Sequence, residues 1–309
     1  MPSENPSISR GHTAERRSGD ASFSSSFALS GPSAKLDARI DAYRSGIADI
    51  ALAGAYLTSH YAMPLMRVAA ISSMIRRGPS PAAEATSQLL PGESFAVLDA
   101  AGGWSWGYSA HDHHVGYIAT DHLGAPLEST HRISATLALL FAEAAITAPV
   151  VATLPFGARV FGEMQGEFLR TAGGYLHRRH VTDCASQEHD MVAVAERFIG
   201  APYLVGGRGA DGFDSSGLIQ VACAAAGVVA PRYASMQGAV LGSPLAETDR
   251  LRRGDIIAFA DHVAMMVDDH RLIHADSYWM SVVVEPLVDL IARMPQDDDR
   301  PTPSRRRLP

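Results

Sequence analysis

Four consecutive residues, Asp214-Ser215-Ser216-Gly217, stand where chemistry is most easily done. They follow a glycine-rich stretch running from Gly200-Ala-Pro-Tyr203 to Gly212-Phe213, and they open an apolar run from Leu218 to Ala226. Glycines let the backbone turn tightly and approach a ligand closely. Asp and Ser ahead of a helical run are N-cap residues. A side chain there sits at the positive end of a helix, where a developing anion is favoured. A cysteine nucleophile would gain most from that position, because its reactive form is the thiolate. The residue present at 215 is serine. Cys223 lies about two helical turns further on and reads as a small buried apolar residue. Cys184 has no motif around it. Downstream, His262 and His274 fall in strand-like segments, where they read equally well as half-buried strand residues.

Other groupings suggest chemistry less strongly. His111-Asp-His-His114 falls in a short hairpin turn, where alternate side chains point apart and no cysteine or carboxylate pattern supports zinc. It reads as a solvated turn, and no metal or cofactor is expected. His177-Arg-Arg-His180 is a polar strand end, and Trp104 and Trp106 read as barrel residues rather than a sugar platform.

The remaining composition narrows the class. A net charge of −7 and a pI near 6.0 give no reason to expect nucleic acid. Two cysteines make no disulfide framework. No apolar run is long enough for a membrane span, so no membrane insertion is expected.

The elements that must position these residues read as follows. Residues 1–34 are rich in Ser, Gly, Pro and Arg and read as a disordered leader. Residues 35–64 form an N-terminal helical segment, with Ile40, Tyr43, Ile47 and Ile50 at spacings of three and four. Residues 65–128 hold short strands, Met66–Met74, Ser94–Leu98, Trp104–Tyr108 and Val115–Ile118, separated by Gly and Asp turns. Residues 129–183 give a fainter second copy of that pattern. Residues 184–296 begin with a helix over Met191–Ile199 and the helix from Ser215, with a loop or short helical turn over 231–237. Four short strands follow, 255–259, 262–267, 272–275 and 281–285, and then a helix over 286–293. Helices first and an antiparallel sheet after them is an α+β layout. Residues 297–309 read as a charged, flexible tail.

Several of these segments together resemble a known family. Gly200-Ala-Pro-Tyr-Leu-Val-Gly-Gly207, Gly212-Phe-Asp-Ser-Ser-Gly-Leu-Ile-Gln220, Ala230-Pro-Arg232, Met236-Gln237, Arg253-Gly-Asp-Ile-Ile257, Asp261-His-Val-Ala-Met-Met266 and Leu272-Ile-His-Ala275 occur in order. They resemble the NlpC-type cell-wall peptidases, papain-like enzymes that cut murein peptides. Residues 65–128 resemble a bacterial SH3-like domain through their Pro-Gly-Glu turn, Gly-Trp-x-Trp strand and Val-Gly-Tyr-Ile strand. With two such barrels in front, the chain is similar to γ-D-glutamyl–diamino acid dipeptidyl-peptidases. The resemblance implies a papain-like domain with helices packed on a small antiparallel sheet.

It also implies roles. Position 215 would be the nucleophile, His262 its base and His274 the residue that orients the base. Tyr203 matches a tyrosine near the oxyanion region. Asp214 and Ser216 would help bind the free N-terminal residue of the peptide, with helix capping as the plain alternative for Asp214. Val205 stands where relatives have tryptophan, and so narrows an apolar wall. Glu93 and Tyr117 of the first barrel are candidates for further polar contacts.

Ser215 departs from the family's cysteine. A hydroxyl cannot rest as the anion of an ion pair and needs its proton removed in concert with attack. An introduced exchange and a natural, degenerate homologue both stay open. The expected activity is therefore hydrolysis of γ-D-glutamyl–diaminopimelate bonds, weakened or lost through Ser215. The alternatives are a non-catalytic module that binds cell-wall peptides in the same cleft, or a Ser-His hydrolase. The partner expected is a short murein-derived peptide, and the setting expected is cytoplasmic peptide recycling.

Overall fold

The computed structural model describes residues 35–294 and 303–308, so the leader expected over 1–34 lies outside the described residues. The segment 35–64 contains no α-helix. Tyr43–Arg44 and Ile47–Asp49 form a tight hairpin, and Tyr61–Ala62 joins the second strand in parallel. The apolar spacing suited a helix, but Gly46 at φ +83° turns the chain back after Arg44. Asp49 then caps a single 3-10 turn, accepting from Ala51 N at 2.8 Å.

The first all-β unit is a seven-stranded antiparallel sheet. Its spatial order is 123–124, 65–69, 94–101, 104–109, 115–119, 73–76 and 85–89. The single strand read over Met66–Met74 is in fact two, Leu65–Ala69 and Ser73–Arg76, which lie far apart in the sheet. Ala69, Ile75, Leu89, Phe95, Val97 and Ile118 fill its core. A second all-β unit carries a five-stranded and a three-stranded sheet around Ile133, Ala138, Leu140, Ala158, Leu169 and Leu176.

The C-terminal unit sets helices α1 (Met191–Glu196), α2 (Ser215–Ala225), α3 (Ala234–Val240) and α4 (Leu287–Arg293) beside a six-stranded antiparallel sheet. Strands outnumber helices throughout the described residues, and three of the four helices span two turns or fewer. Alternation along the strands builds two cores. Ile256, Val263, Met265, Ile273 and Ala275 share one cluster with Val192 of α1 and Leu218, Ile219 and Ala222 of α2. Ile257, Ala264, Met266 and Leu272 face the other way, with Leu290 of α4. Side chains alternate across a strand, so burial on both faces gives the near-continuous apolar runs of the sequence.

The tail read as flexible is a sheet strand where it is described. Ser304–Arg307 pairs with Ile256–Ala258 on one side and Ser243–Pro244 on the other. Three consecutive arginines lack a strand's apolar alternation. They are held instead by acceptors, Arg307 by the Asp255 carboxylate at 2.7 Å and Arg306 by Gly242 O at 2.8 Å.

Candidate active site

Helix α2 starts abruptly because its cap is fully used. Asp214 has extended backbone and its Oδ1 accepts from Gly217 N at 2.7 Å. The preceding hairpin, Arg208–Gly209 with Gly212–Phe213, brings the chain against the first turn of α2. A Cβ on Gly217 would fall 2.1 Å from Gly207 O, so only glycine permits that approach. Ser215 opens the helix and is buried, 6% exposed, at the end where the macrodipole is positive.

Two buried side chains clamp this turn. Arg232 donates to both carboxylate oxygens of Asp214, at 3.0 and 2.6 Å, to Ser216 Oγ at 2.8 Å and to Ser87 Oγ of the first barrel at 2.9 Å. Gln237 donates through Nε2 to Ser216 O at 2.9 Å and Pro231 O at 2.8 Å. Asp214 also accepts from Gly206 N at 2.9 Å and from Ser216 Oγ at 3.2 Å. Its carboxylate is therefore a cap and an ion-pair partner, and its charge is balanced before any ligand arrives.

The histidines meet on the sheet. His262 lies in the turn between Ile256–Ala258 and Val263–Met266, and His274 is in the next strand, Arg271–Asp276. Their rings cross nearly at right angles, with His262 Nε2 2.8 Å from His274 Nδ1. His274 is fully buried, and its Nε2 lies 2.7 Å from Glu285 Oε1, although off the line of an ideal ring hydrogen bond. Arg293 of α4 grips Glu285 and also reaches Asp276 at 3.3 Å. A carboxylate beside Nε2 favours a proton there, which leaves Nδ1 of His274 to accept Nε2–H of His262. The lone pair of His262 is then on Nδ1. At 2.8 Å the two facing nitrogens leave no room for an ion between them, so the His262, His274 and Asp276 donor atoms do not fit a metal in this arrangement.

Burial is the main influence on both rings. It pushes His262 down to about 4, with the neighbouring His274 adding to the effect. His274 is also lowered, chiefly by burial, and Asp276 and Glu285 oppose the shift. Burial alone would raise Glu285, but Arg293 and His274 carry it below its ordinary value.

Tyr203 lines a cavity of about 340 Å³ together with His262, Asp261 and Asp276. Burial, then the charges of Asp214 and Asp276, raise its phenol above the ordinary value. Val205 is half exposed. The first-barrel candidates do not line this cavity. Glu93 is locked in a two-point pair with buried Arg208, at 2.9 and 3.1 Å, and caps Leu90 N at 2.8 Å. Tyr117 accepts from Arg44 Nη1 at 2.6 Å, and that guanidinium also lies over Trp106. The 111–114 turn is not simply solvated, since His114 and the Asp112 side chain are buried. Backbone reversal at His113, φ 57°, swings them inward toward Thr86 and Gln220.

Sequence reading assigned no role to Arg208, Arg232, Gln237, Glu285 or Arg293. One signal was available: Arg208, among glycines, and Arg232, after Pro231, are the only basic residues from 200 to 249. Which acid each meets depends on contacts more than a hundred residues away for Arg208 and Glu93.

Comparison with known proteins agrees with this architecture. Residues 200–289 match the NlpC/P60 family, and residues 75–123 match the bacterial dipeptidyl-peptidase SH3 domain. The chain therefore carries an NlpC/P60 domain behind a dipeptidyl-peptidase SH3 domain. It is homologous to the γ-D-glutamyl-L-lysine dipeptidyl-peptidase of Bacillus cereus, 28% identical over 131 residues, 40% of this chain and 39% of that protein. A probable endopeptidase of Mycobacterium tuberculosis is 36% identical over 100 residues, 31% of this chain and 26% of the relative. These matches thus span about a quarter to two fifths of the relatives' own length. The crystal structure of an NlpC/P60 family protein from Bacillus cereus shares the fold, with a TM-score of 0.67 at 18% identity, covering 79% of this chain and all of that one.

Proposed function

We propose that this protein is a murein-peptide hydrolase of the NlpC/P60 type, acting on γ-D-glutamyl–diamino acid bonds in short peptides. The observation that carries the reading is the His262–His274–Glu285 relay in the domain whose α2 starts at residue 215. In this reading residue 215 attacks the carbonyl carbon while His262 Nδ1 takes its proton. His262 then returns that proton to the leaving amine, and the acyl-enzyme is released by water through the same base. The helix N-terminus and the Tyr203 hydroxyl supply donors for the oxyanion. Asp214, already neutralised by Arg232, serves mainly to hold residues 215 and 216 in place, and a substrate ammonium would add to a balanced pair.

The chemistry suits sulfur better than oxygen. A thiolate would stabilise protonated His262 and raise its low pKa, whereas a serine hydroxyl offers no such counter-charge. An imidazole pushed down to about 4 is a weak base for a hydroxyl. That mismatch also favours a second reading, a peptide-binding module with little turnover.

The test compares the protein with its Ser215→Cys variant on L-Ala-γ-D-Glu-diaminopimelate. Turnover should rise at least about tenfold in the variant, equal to about 1.4 kcal/mol of barrier. Tight binding without turnover in either form would overturn the hydrolase reading and leave the binding module. Labelling of Ser215 by a fluorophosphonate would instead identify a Ser-His hydrolase.

A further inference from the structure

A second cavity, of about 330 Å³, lies where the first barrel, the second all-β unit and the C-terminal unit meet. It shares no lining residue with the cavity that holds Tyr203 and His262. Its volume falls at the lower end of the range for small-molecule sites. Its walls carry an excess of positive charge. Arg132, Arg159 and Arg208 line it, against the single carboxylate of Glu93.

Glu93 is already used by Arg208, in the two-point pair described above. The other nearby acids are held by other partners, Asp183 by Ala185 N at 2.8 Å. Asp112 receives Gln220 Nε2 at 2.8 Å and lies beside His111, and Glu188 pairs with Arg197 at 3.0 Å. Among the described residues, Arg132 and Arg159 therefore have no carboxylate of their own. Arg132 donates only to backbone, to Ser186 O at 2.9 Å and Ala225 O at 3.4 Å. Burial lowers its pKa, with the charge of Glu188 pulling the other way.

Buried polar atoms on the same walls are left unpaired. Arg208 is 2% exposed, yet its Nε has no hydrogen-bond partner among the described residues. Gln220, also 2% exposed, leaves Oε1 unpaired while its Nε2 is doubly used. The ring nitrogens of His111 are also buried, Nδ1 without a partner and Nε2 facing the Asp112 carboxylate at 3.4 Å. Each such atom carries a desolvation cost until something fills the site. The donors, Arg208 Nε and the two arginines, match the oxygens of an anion. Gln220 Oε1 matches a hydroxyl or amine on the same molecule.

We propose that this three-way junction binds a small oxyanion, a carboxylate or phosphate compound carrying an additional hydrogen-bond donor. The site is separate from the peptide cleft and does not depend on the hydrolase reading. Carboxylate and phosphate sources are separated by the probes. Calorimetric titration of the full chain at low salt, with citrate and with inorganic phosphate, should show one saturable site for at least one of them. Its Kd should be on the order of 1 mM or tighter. Saturation by citrate alone assigns the carboxylate class, and saturation by phosphate alone assigns the phosphate class. Arg159 is exposed, so Arg159→Glu and Arg159→Ala should keep the fold, checked by unchanged thermal melts. Arg159→Glu should weaken binding at least about tenfold, Arg159→Ala should weaken it less, and His262→Ala should leave it unchanged. Failure of both probes to saturate would overturn the proposal. So would equal affinity in Arg159→Glu and the parent, or loss of binding in His262→Ala.

Discussion

His114 shows how one buried group ties stability to pH. It is fully buried, with Nε2 2.9 Å from Thr86 Oγ1 and Nδ1 unpaired. Burial pushes it from 6.5 down to about 4, against the pull of Asp112. Above about pH 6.5 it is neutral in both folded and unfolded chains and contributes nothing to the pH dependence. Between about 6.5 and about 4 the unfolded chain binds a proton that the folded chain refuses, so stability falls as pH falls. The full window corresponds to about 3 kcal/mol. Partly buried His262, also held near 4, acts in the same direction. Urea unfolding at about pH 7 and about pH 5 should show about 2 kcal/mol of this loss in the parent and a clearly smaller one in His114→Gln. Equal losses in both would remove His114 from the account.

At the scale of elements, the critical junction is the start of α2. Its first turn lies so close to the preceding loop that Gly217 cannot carry a side chain without meeting Gly207 O and the Asp214 carboxylate. Gly217→Ala should therefore cost about 2 kcal/mol or more, measured by chemical denaturation, and should displace Asp214 and Ser216 from Arg232. Gly78→Ala provides the comparison, since a Cβ there would meet nothing closer than 3.7 Å. Its effect should stay within about 0.5 kcal/mol. Similar effects at both positions would mean that the close approach at Gly217 is not what sets the geometry of the turn.

Across the whole molecule, two buried arginines fasten the C-terminal unit to the first barrel. Arg208 holds Glu93 and Gln88 O, and Arg232 holds Ser87 together with Asp214. Removing one partner of a buried pair leaves an uncompensated charge, at a cost of about 3 kcal/mol or more. Glu93→Leu should therefore destabilise the chain strongly, while the double variant Glu93→Leu with Arg208→Met should recover much of the loss. A double variant no more stable than the single would show that the pair is not the main fastening. Because Arg232 spans both units, barrel and cleft should loosen together, and proteolysis of the Glu93→Leu chain should expose sites in both.

Much of the local order was legible in the residues themselves. Asp214 and its glycines marked a helix start because capping and close approach are local properties. The segments 255–259 and 262–267 read as strands, and the structure covers 256–258 and 263–266 on both faces. Spacing misled at 35–64, where threefold and fourfold apolar intervals fit a hairpin turned by Gly46. Charge misled at 304–307, where arginines complete a sheet because acceptors await them. The sequence alone determined the order of the motifs and the oxygen at position 215. Only the tertiary structure decided that Glu93 serves Arg208, that Asp214 is balanced by Arg232, and that His274 rests against Glu285. Glu93 and Arg208 lie 115 residues apart, and all three pairings depend on packing, because the energy of a buried charge depends on what surrounds it in space.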